Sequence, residues 1–342
     1  MRKIGILTGG ADCPGLNSVI RAVVRKSIDE GFVVTGIKNG WNGLVDNDMR
    51  ILDYRLTSGI LARGGTILGT SRIIPPLEKR RIKLIAENFK RSGMDALIAV
   101  GGEDTLKIAL QLLDEHALPI VGVPKSIDNS LSGTDYTFGF DTAVNVATEC
   151  IDRLHTTAES HHRIIVVEVM GLHTGWNALE AGIAGGAHYI LIPEYPIEIN
   201  KVCASLKARH KRGKSFSIIV VAEGAKIEGY QKEDMDRMFR RGRHHIGRIA
   251  EILADLIEEN TSYETRVSVL GHIQRGGVPT AYDRIIGTRF GFKAVELVRE
   301  NKFGMMVSLK NSKISYVEIR DAVSQRKMID ADLMEIAKVF YT

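Results

Sequence analysis

Residues 96–106 read Ala-Leu-Ile-Ala-Val-Gly-Gly-Glu-Asp-Thr-Leu, and this stretch constrains the fold more than any other. The apolar run from Ala96 to Val100 has the character of a buried strand. Gly101 and Gly102 then turn the chain sharply, and a helix restarts near Thr105. A strand that turns on glycines into a helix belongs to α/β architecture. It also lets backbone N–H groups and a helix N-terminus face a phosphate. Two carboxylates, Glu103 and Asp104, stand where such an anion would sit. Bare carboxylates repel phosphate, so the pattern suits a hard cation such as Mg²⁺ between them. The same acids also suit a helix N-terminus as capping residues.

The rhythm recurs along the chain. An apolar strand at residues 3–8 runs into Gly9, Gly10 and a helix through residues 17–24. A charged helix over residues 79–91 precedes the strand at 96–100, and a further strand at 120–123 follows the helix after Thr105. A long helix over 141–154 places Ala143, Ala147, Cys150, Ile151 and Leu154 on one face, which is a core stripe. Beyond it, strands at 164–169, 189–192, 217–222 and 267–270 form a second block. Alternating strands and helices imply mostly parallel sheets with helices on both faces. The expected fold is therefore α/β, with two three-layer Rossmann-like domains and an active site in the cleft between them. The larger domain is expected to take residues 1–138 plus about 251–305, and the smaller 139–250 plus about 306–342. In such sheets ligands bind beyond the carboxyl ends of the strands. The loops there are residues 8–10, 69–72, 101–104 and 124–129, all early enough in the chain to converge.

Composition excludes several classes. The 342 residues are 44% hydrophobic and 25% charged, ordinary for a soluble chain of two domains. No apolar run reaches membrane-spanning length, and the N-terminus begins in a strand rather than a signal peptide. Cys13, Cys150 and Cys203 are scattered, which argues against a disulfide framework and suits a reducing cytoplasm. The net charge of +5 is compatible with a phosphorylated substrate. Basic runs at 207–212 and 237–245 have little aromatic interleaving, so a solvated face is preferred over nucleic-acid binding.

Taken together, Ile4-Gly-Ile-Leu-Thr-Gly-Gly-Ala-Asp-Cys-Pro-Gly-Leu-Asn17, residues 101–105, Pro124-Lys-Ser-Ile-Asp-Asn129, Val169-Met-Gly171 and Gly271-His-Ile-Gln-Arg-Gly-Gly277 resemble the phosphofructokinases of the bacterial type. The resemblance runs from residue 4 to about residue 284. It implies phosphoryl transfer to the 1-hydroxyl of fructose 6-phosphate in glycolysis, with Mg²⁺. It further implies a homodimer or homotetramer whose sites share side chains between subunits.

Phosphoryl transfer needs positioning, charge neutralisation and a group that takes the proton of the attacking hydroxyl. Asp128 matches the family's proton acceptor, although Asp-Asn also favours turns. Glu103 matches the metal-holding acid. Gly10 matches a position where backbone approaches the donor phosphates, and Arg72 one that neutralises the transferring phosphate. Arg163, Arg266, His272 and Arg275 match the cations around the 6-phosphate, with Arg163 and Arg266 reaching across from another subunit. Ser126, Met170, Gly171 and Glu223 match contacts to the sugar phosphate. Ordinary salt bridges for the arginines and a core role for Met170 and His272 remain open.

Two positions bear on the donor. Relatives that use ATP carry Gly at the position of Asp104, leaving room for an α-phosphate, and commonly Gly at that of Lys125. Bulk and negative charge at Asp104 oppose an α-phosphate, while Lys125 offers a compact cation to a short donor. The pair resembles the pyrophosphate-using branch. An ATP-dependent enzyme, or a kinase of a related sugar phosphate such as sedoheptulose 7-phosphate, is the alternative. Three departures leave the acceptor open: Ala11 for a Gly, Ser130 for an Asp and Leu172 for an Arg.

Overall fold

The structure is a computed structural model and describes residues 1–230 and 247–341. The basic run at 237–245 lies outside the described residues. The chain divides into two compact units, residues 1–142 with 275–327, and residues 143–274 with 328–342.

The first unit begins β1 (Lys3–Thr8), α1 (Leu16–Asp29), β2 (Val33–Ile37), α2 (Trp41–Val45) and β3 (Met49–Leu52). It continues through α3 (Lys79–Arg91), β4 (Ala96–Gly101), α4 (Glu103–His116) and β5 (Ile120–Pro124). Helix α5 (Phe140–His161) starts in this unit and runs on into the second. The second unit follows with β6 (Ile164–Val169), α6 (Trp176–Ala184), β7 (Tyr189–Leu191), α7 (Ile199–Lys211), β8 (Ser217–Ala222), α8 (Arg248–Thr261) and β9 (Thr265–Val269). A 3-10 turn (Gly271–Arg275) ends it, and the chain re-enters the first unit with α9 (Ala281–Arg299), β10 (Met305–Lys310), β11 (Lys313–Glu318) and α10 (Ile319–Ser324). Helix α11 (Ala331–Lys338) belongs to the second unit.

The larger sheet has seven strands in the order β11-β10-β5-β4-β1-β2-β3. Its edge strands β3 and β11 are antiparallel and the interior pairs parallel. Strand order reverses between β1 and β4, so the loops after these two strands open a crevice at the carboxyl edge. Ile4–Leu7 of β1 and all of β4 are apolar and buried because helices cover both faces.

The smaller sheet, β7-β8-β6-β9, is wholly parallel. Alternate residues of β6 serve two cores. Ile165, Val167 and Val169 pack with Ala147, Ile151 and Leu179, while Ile164 and Val166 pack with Leu206, Leu253 and Ile257. That period of two is what a sheet buried on both faces requires.

The observed units correct the expected borders. Residues 251–274 belong to the smaller unit, because β9 pairs with β6 and α8 supplies Ile252, Leu253, Leu256 and Ile257 to that core. Residues 306–327 belong to the larger unit, because β10 pairs with β5 and β11 with β10. Only residues 328–341 of the tail go with the smaller unit, where the Tyr341 hydroxyl donates to Ile190 O at 2.8 Å.

Candidate active site

In the larger unit the four predicted loops meet. Gly9 N donates to Val100 O at 2.9 Å and Gly10 N to Ser71 O at 3.0 Å. Thr70 Oγ1 returns a bond to Gly10 O at 2.6 Å, and Lys125 N donates to Gly101 O at 3.0 Å. These bonds bind residues 9–10, 70–71, 101 and 125 into one cluster at the carboxyl edge of β1, β4 and β5. Arg72 follows Ser71 directly and is exposed.

Thr105 is the residue the cluster is built around, and sequence reasoning passed over it. It is 2% exposed, and a Cβ on Gly9 or Gly101 would come within 2.6 or 2.5 Å of its Oγ1. Those two glycines are required by close approach. Gly10 is different: a Cβ there would stand 3.5 Å from Lys125 Nζ, but its φ of 78° is left-handed. Its constraint is therefore backbone conformation rather than space. The signal available beforehand was three glycines flanking one small β-branched residue.

Helix α4 starts at Glu103, two residues earlier than the periodicity suggests, with Gly102 at the N-cap and no side-chain cap bond. Glu103 and Asp104 occupy the first turn, where negative charge opposes the helix dipole favourably, and neither is the cap. Glu103 is paired with Lys107 at 2.5 Å and with Arg326 at 2.9 Å. Burial alone would raise its pKa, but the Lys107 and Arg326 bonds outweigh burial and hold it below the usual carboxylate range. Asp104 is half-buried and forms no ion pair with Lys125.

Lys125 is 5% exposed and its ammonium donates to Ala11 O. Burial pushes its pKa down; Cys13 opposes this, Arg275 adds to it, and Asp12 and Asp128 oppose it. Arg275 thus stands within electrostatic reach of a buried ammonium, and its Nε is itself buried without a hydrogen-bond partner among the described residues. Two neighbouring cations of this kind favour an anion between them.

Asp128 sits on a loop with little freedom. Its N–H donates to Ser126 Oγ at 3.0 Å, and the next residue, Asn129, is 1% exposed with φ 48°. Asn129 Oδ1 accepts from Thr137 N at 3.1 Å, and Thr137 Oγ1 donates to Ser126 O at 2.8 Å. The acid is thereby held at the exit of β5, within electrostatic reach of Lys125.

The smaller unit sorts its candidates into two groups. At the carboxyl edge, Met170 N donates to Gln274 Oε1 at 2.7 Å, and Gly171 N approaches Glu223 Oε1 at 3.5 Å. Gln274 is fully buried and holds this loop, a role not anticipated. Met170 is 4% exposed and His272 is exposed on the 3-10 turn. At the amino edge, Arg163 precedes β6 and Arg266 is the second residue of β9. Both pair with Glu264, Arg163 at 2.7 Å. Six residues of β6 separate Arg163 from Met170, about 20 Å at strand rise. One chain therefore does not bring Arg163 and Arg266 to the Met170 loop.

Among the described residues no group of three or more His, Cys, Asp or Glu could hold a metal. Mg²⁺ is commonly held by one or two carboxylates with substrate phosphates completing its shell, so the paired acids of the α4 first turn fit it in that manner. No helix among the described residues is long and apolar enough to cross a membrane. Residues 209–211 of the first basic run lie in the last turn of α7, where positive charge complements the helix dipole.

Two α/β units, one with glycine-lined and cation-lined loops at its sheet's switch point, define a phosphate-handling protein. Residues 3–298 match the phosphofructokinase family model. The pyrophosphate–fructose 6-phosphate 1-phosphotransferase of Streptomyces coelicolor is 50% identical over 341 residues, covering 99% of both chains. The ATP-dependent 6-phosphofructokinase 3 of the same organism is 49% identical over 329 residues, 96% of each. The solved phosphofructokinase of Saccharomyces cerevisiae aligns with a TM-score of 0.80 at 31% identity, over 99% of this chain and 47% of the yeast chain. This chain thus spans about half the length of that yeast relative. The chain belongs to the phosphofructokinase family.

Proposed function

We propose that the protein transfers a phosphoryl group from inorganic pyrophosphate to the 1-hydroxyl of fructose 6-phosphate, reversibly, giving fructose 1,6-bisphosphate and phosphate. The observation that carries the choice of donor is Asp104 in the first turn of α4, an acid set beside the glycine crevice. Its charge and bulk oppose the α-phosphate of a nucleotide but leave a two-phosphate donor unhindered. The buried Lys125 supplies positive charge that such a donor requires.

In this reading Asp128 accepts the proton of the 1-hydroxyl as its oxygen attacks the terminal phosphorus. The bond from that phosphorus to the leaving phosphate breaks, and Arg72 stabilises the charge on the transferring group. Glu103 and Asp104 are the residues that would hold Mg²⁺, which when bound would neutralise charge on the diphosphate. Ser126, Met170, Gly171, Glu223, His272 and Arg275 are assigned to the sugar phosphate. Arg163 and Arg266 are assigned to the 6-phosphate of a site completed by a second copy of the chain. Their separation from Met170 along β6 supports a homo-oligomer.

ATP is the second reading, favoured by the similarity to an ATP-dependent relative at 49% identity. Steady-state rates with each donor at fixed fructose 6-phosphate and Mg²⁺ decide between them. Turnover with pyrophosphate and none with ATP is expected; the reverse overturns the assignment.

A further inference from the structure

The acid in the first turn of α4 is gripped by a segment remote in sequence. Lys107, one turn along the same helix, is an ordinary local partner of Glu103. Arg326 is not local. Its Nε donates to Glu103 Oε2 at 2.9 Å across 223 residues of sequence.

The reach is made possible by a backbone strap. Arg326 forms an antiparallel bridge with Leu131, and Lys327 N donates to Ser130 O at 2.9 Å. Lys327 Nζ donates to Asp135 O. Leu131 is 1% exposed and packs with Leu106 of α4 and with Ile319, Ala322 and Val323 of α10. Residues 326–327 therefore touch both the turn that carries Glu103 and the loop that carries Asp128.

The pair is not a stability device. Arg326 is 41% exposed, and water screens ion pairs of that kind strongly. Its geometry is more specific than its energy. A planar guanidinium fixes the direction of a carboxylate, whereas the Lys107 ammonium acts as a mobile point charge.

We propose that Arg326 is a positioning residue for donor binding. It holds the Glu103 carboxylate oriented for the metal-bound diphosphate, and it ties that orientation to the Asp128 loop. The proposal rests on the reading of Glu103 as an acid that meets the metal. It adds a contribution from the end of the larger unit to donor loops otherwise drawn from that unit's first 130 residues.

The test is Mn²⁺ binding, followed by proton relaxation enhancement, to the full-length protein with inorganic pyrophosphate and no sugar. Arg326→Ala is expected to weaken Mn²⁺ binding about tenfold, as loss of an outer-shell partner does. Arg326→Lys is expected to recover part of the loss. In turnover the Mg²⁺ half-saturation should rise similarly while the KM for fructose 6-phosphate stays unchanged. Melting without ligands checks the fold, and Arg326→Gln, which keeps two methylenes of the side chain and removes its charge, serves if the Ala variant does not fold. Glu103→Gln is measured in parallel. If it abolishes Mn²⁺ binding while Arg326→Ala and Arg326→Gln bind as the parent does, the Arg326 proposal falls alone. If Glu103→Gln also leaves binding intact, the reading of Glu103 falls with it.

Discussion

The two sheets treat their candidate residues differently. The seven-stranded sheet gathers Gly10, Glu103, Asp104, Lys125 and Asp128 at its carboxyl edge, where strand order reverses between β1 and β4. The four-stranded sheet keeps Met170, Gly171 and Glu223 at its carboxyl edge but leaves Arg163 and Arg266 at its amino edge. In a parallel sheet the two edges are separated by the full strand length, so no side chain bridges them. The larger unit therefore gathers its candidates at one edge, while the smaller unit divides its candidates between opposite edges.

The strongest way to break this contrast is at Asp128. Asp128→Asn is expected to lower kcat on the order of 10²–10⁴-fold, with unchanged melting, if the acid accepts the proton. A variant that keeps parent kcat removes the larger unit's claim to the chemistry. Arg163→Ala tests the smaller unit, with a KM for fructose 6-phosphate raised about 10–100-fold by loss of a phosphate grip. Refolding it together with Asp128→Asn separates the two edges directly. At fructose 6-phosphate well below the parent KM, where both variants are nearly inactive, random mixing restores about a quarter of parent activity in a symmetric dimer whose sites take Arg163 from the second copy. If Arg163 serves its own chain, mixing restores none.

A smaller effect is expected within the crevice. Asp104→Gly should raise kcat/KM for ATP about tenfold, the size of a modest steric and charge relief. An unchanged value for ATP rejects exclusion by Asp104.

The smallest effect concerns stability, and each unit has its own buried acid. In the larger unit, burial pushes Asp283 up to about 6 against the pull of bonds from Thr142 and Gly139. In the smaller unit, burial pushes Glu168 up to about 7 against bonds from Gly247 and Ala250. A raised carboxyl holds its proton in the folded state after the unfolded chain has lost it. Stability is thus favoured below the unfolded value of 4.5 for Glu168 and declines as pH rises towards about 7. Melting followed from pH 5 to 8 should fall by a few degrees, and Glu168→Gln should flatten the part of that slope above pH 6.

Much of the architecture was legible in order of appearance. Lys79–Arg91, Ile164–Val169 and Ser217–Ala222 were located to the residue, because their periodicity and charge are local properties. The strand at 267–270 reads as part of the second block, and β9 does pair with β6 there, although the expected border puts residues 251–305 in the larger domain. The hairpin β10-β11 was not legible. Met305–Lys310 and Lys313–Glu318 carry ordinary strand composition, and only pairing decides which sheet takes them. At the site, Asp128 and Lys125 announced themselves by a motif. Thr105, Gln274 and Arg326 did not, since their importance lies in what they touch.

By itself the sequence determined the class of architecture, the loops that meet at β1, β4 and β5, and the residue types placed there. Those follow from hydrophobic period and from glycine, which act over a few neighbouring residues. Tertiary structure alone decided that β10 and β11 join the larger sheet, that Arg163 and Arg266 stand at the opposite edge from Met170, and that Arg326 reaches Glu103. Each of these is a contact between distant segments, and its selection depends on packing and strand pairing that no local pattern encodes.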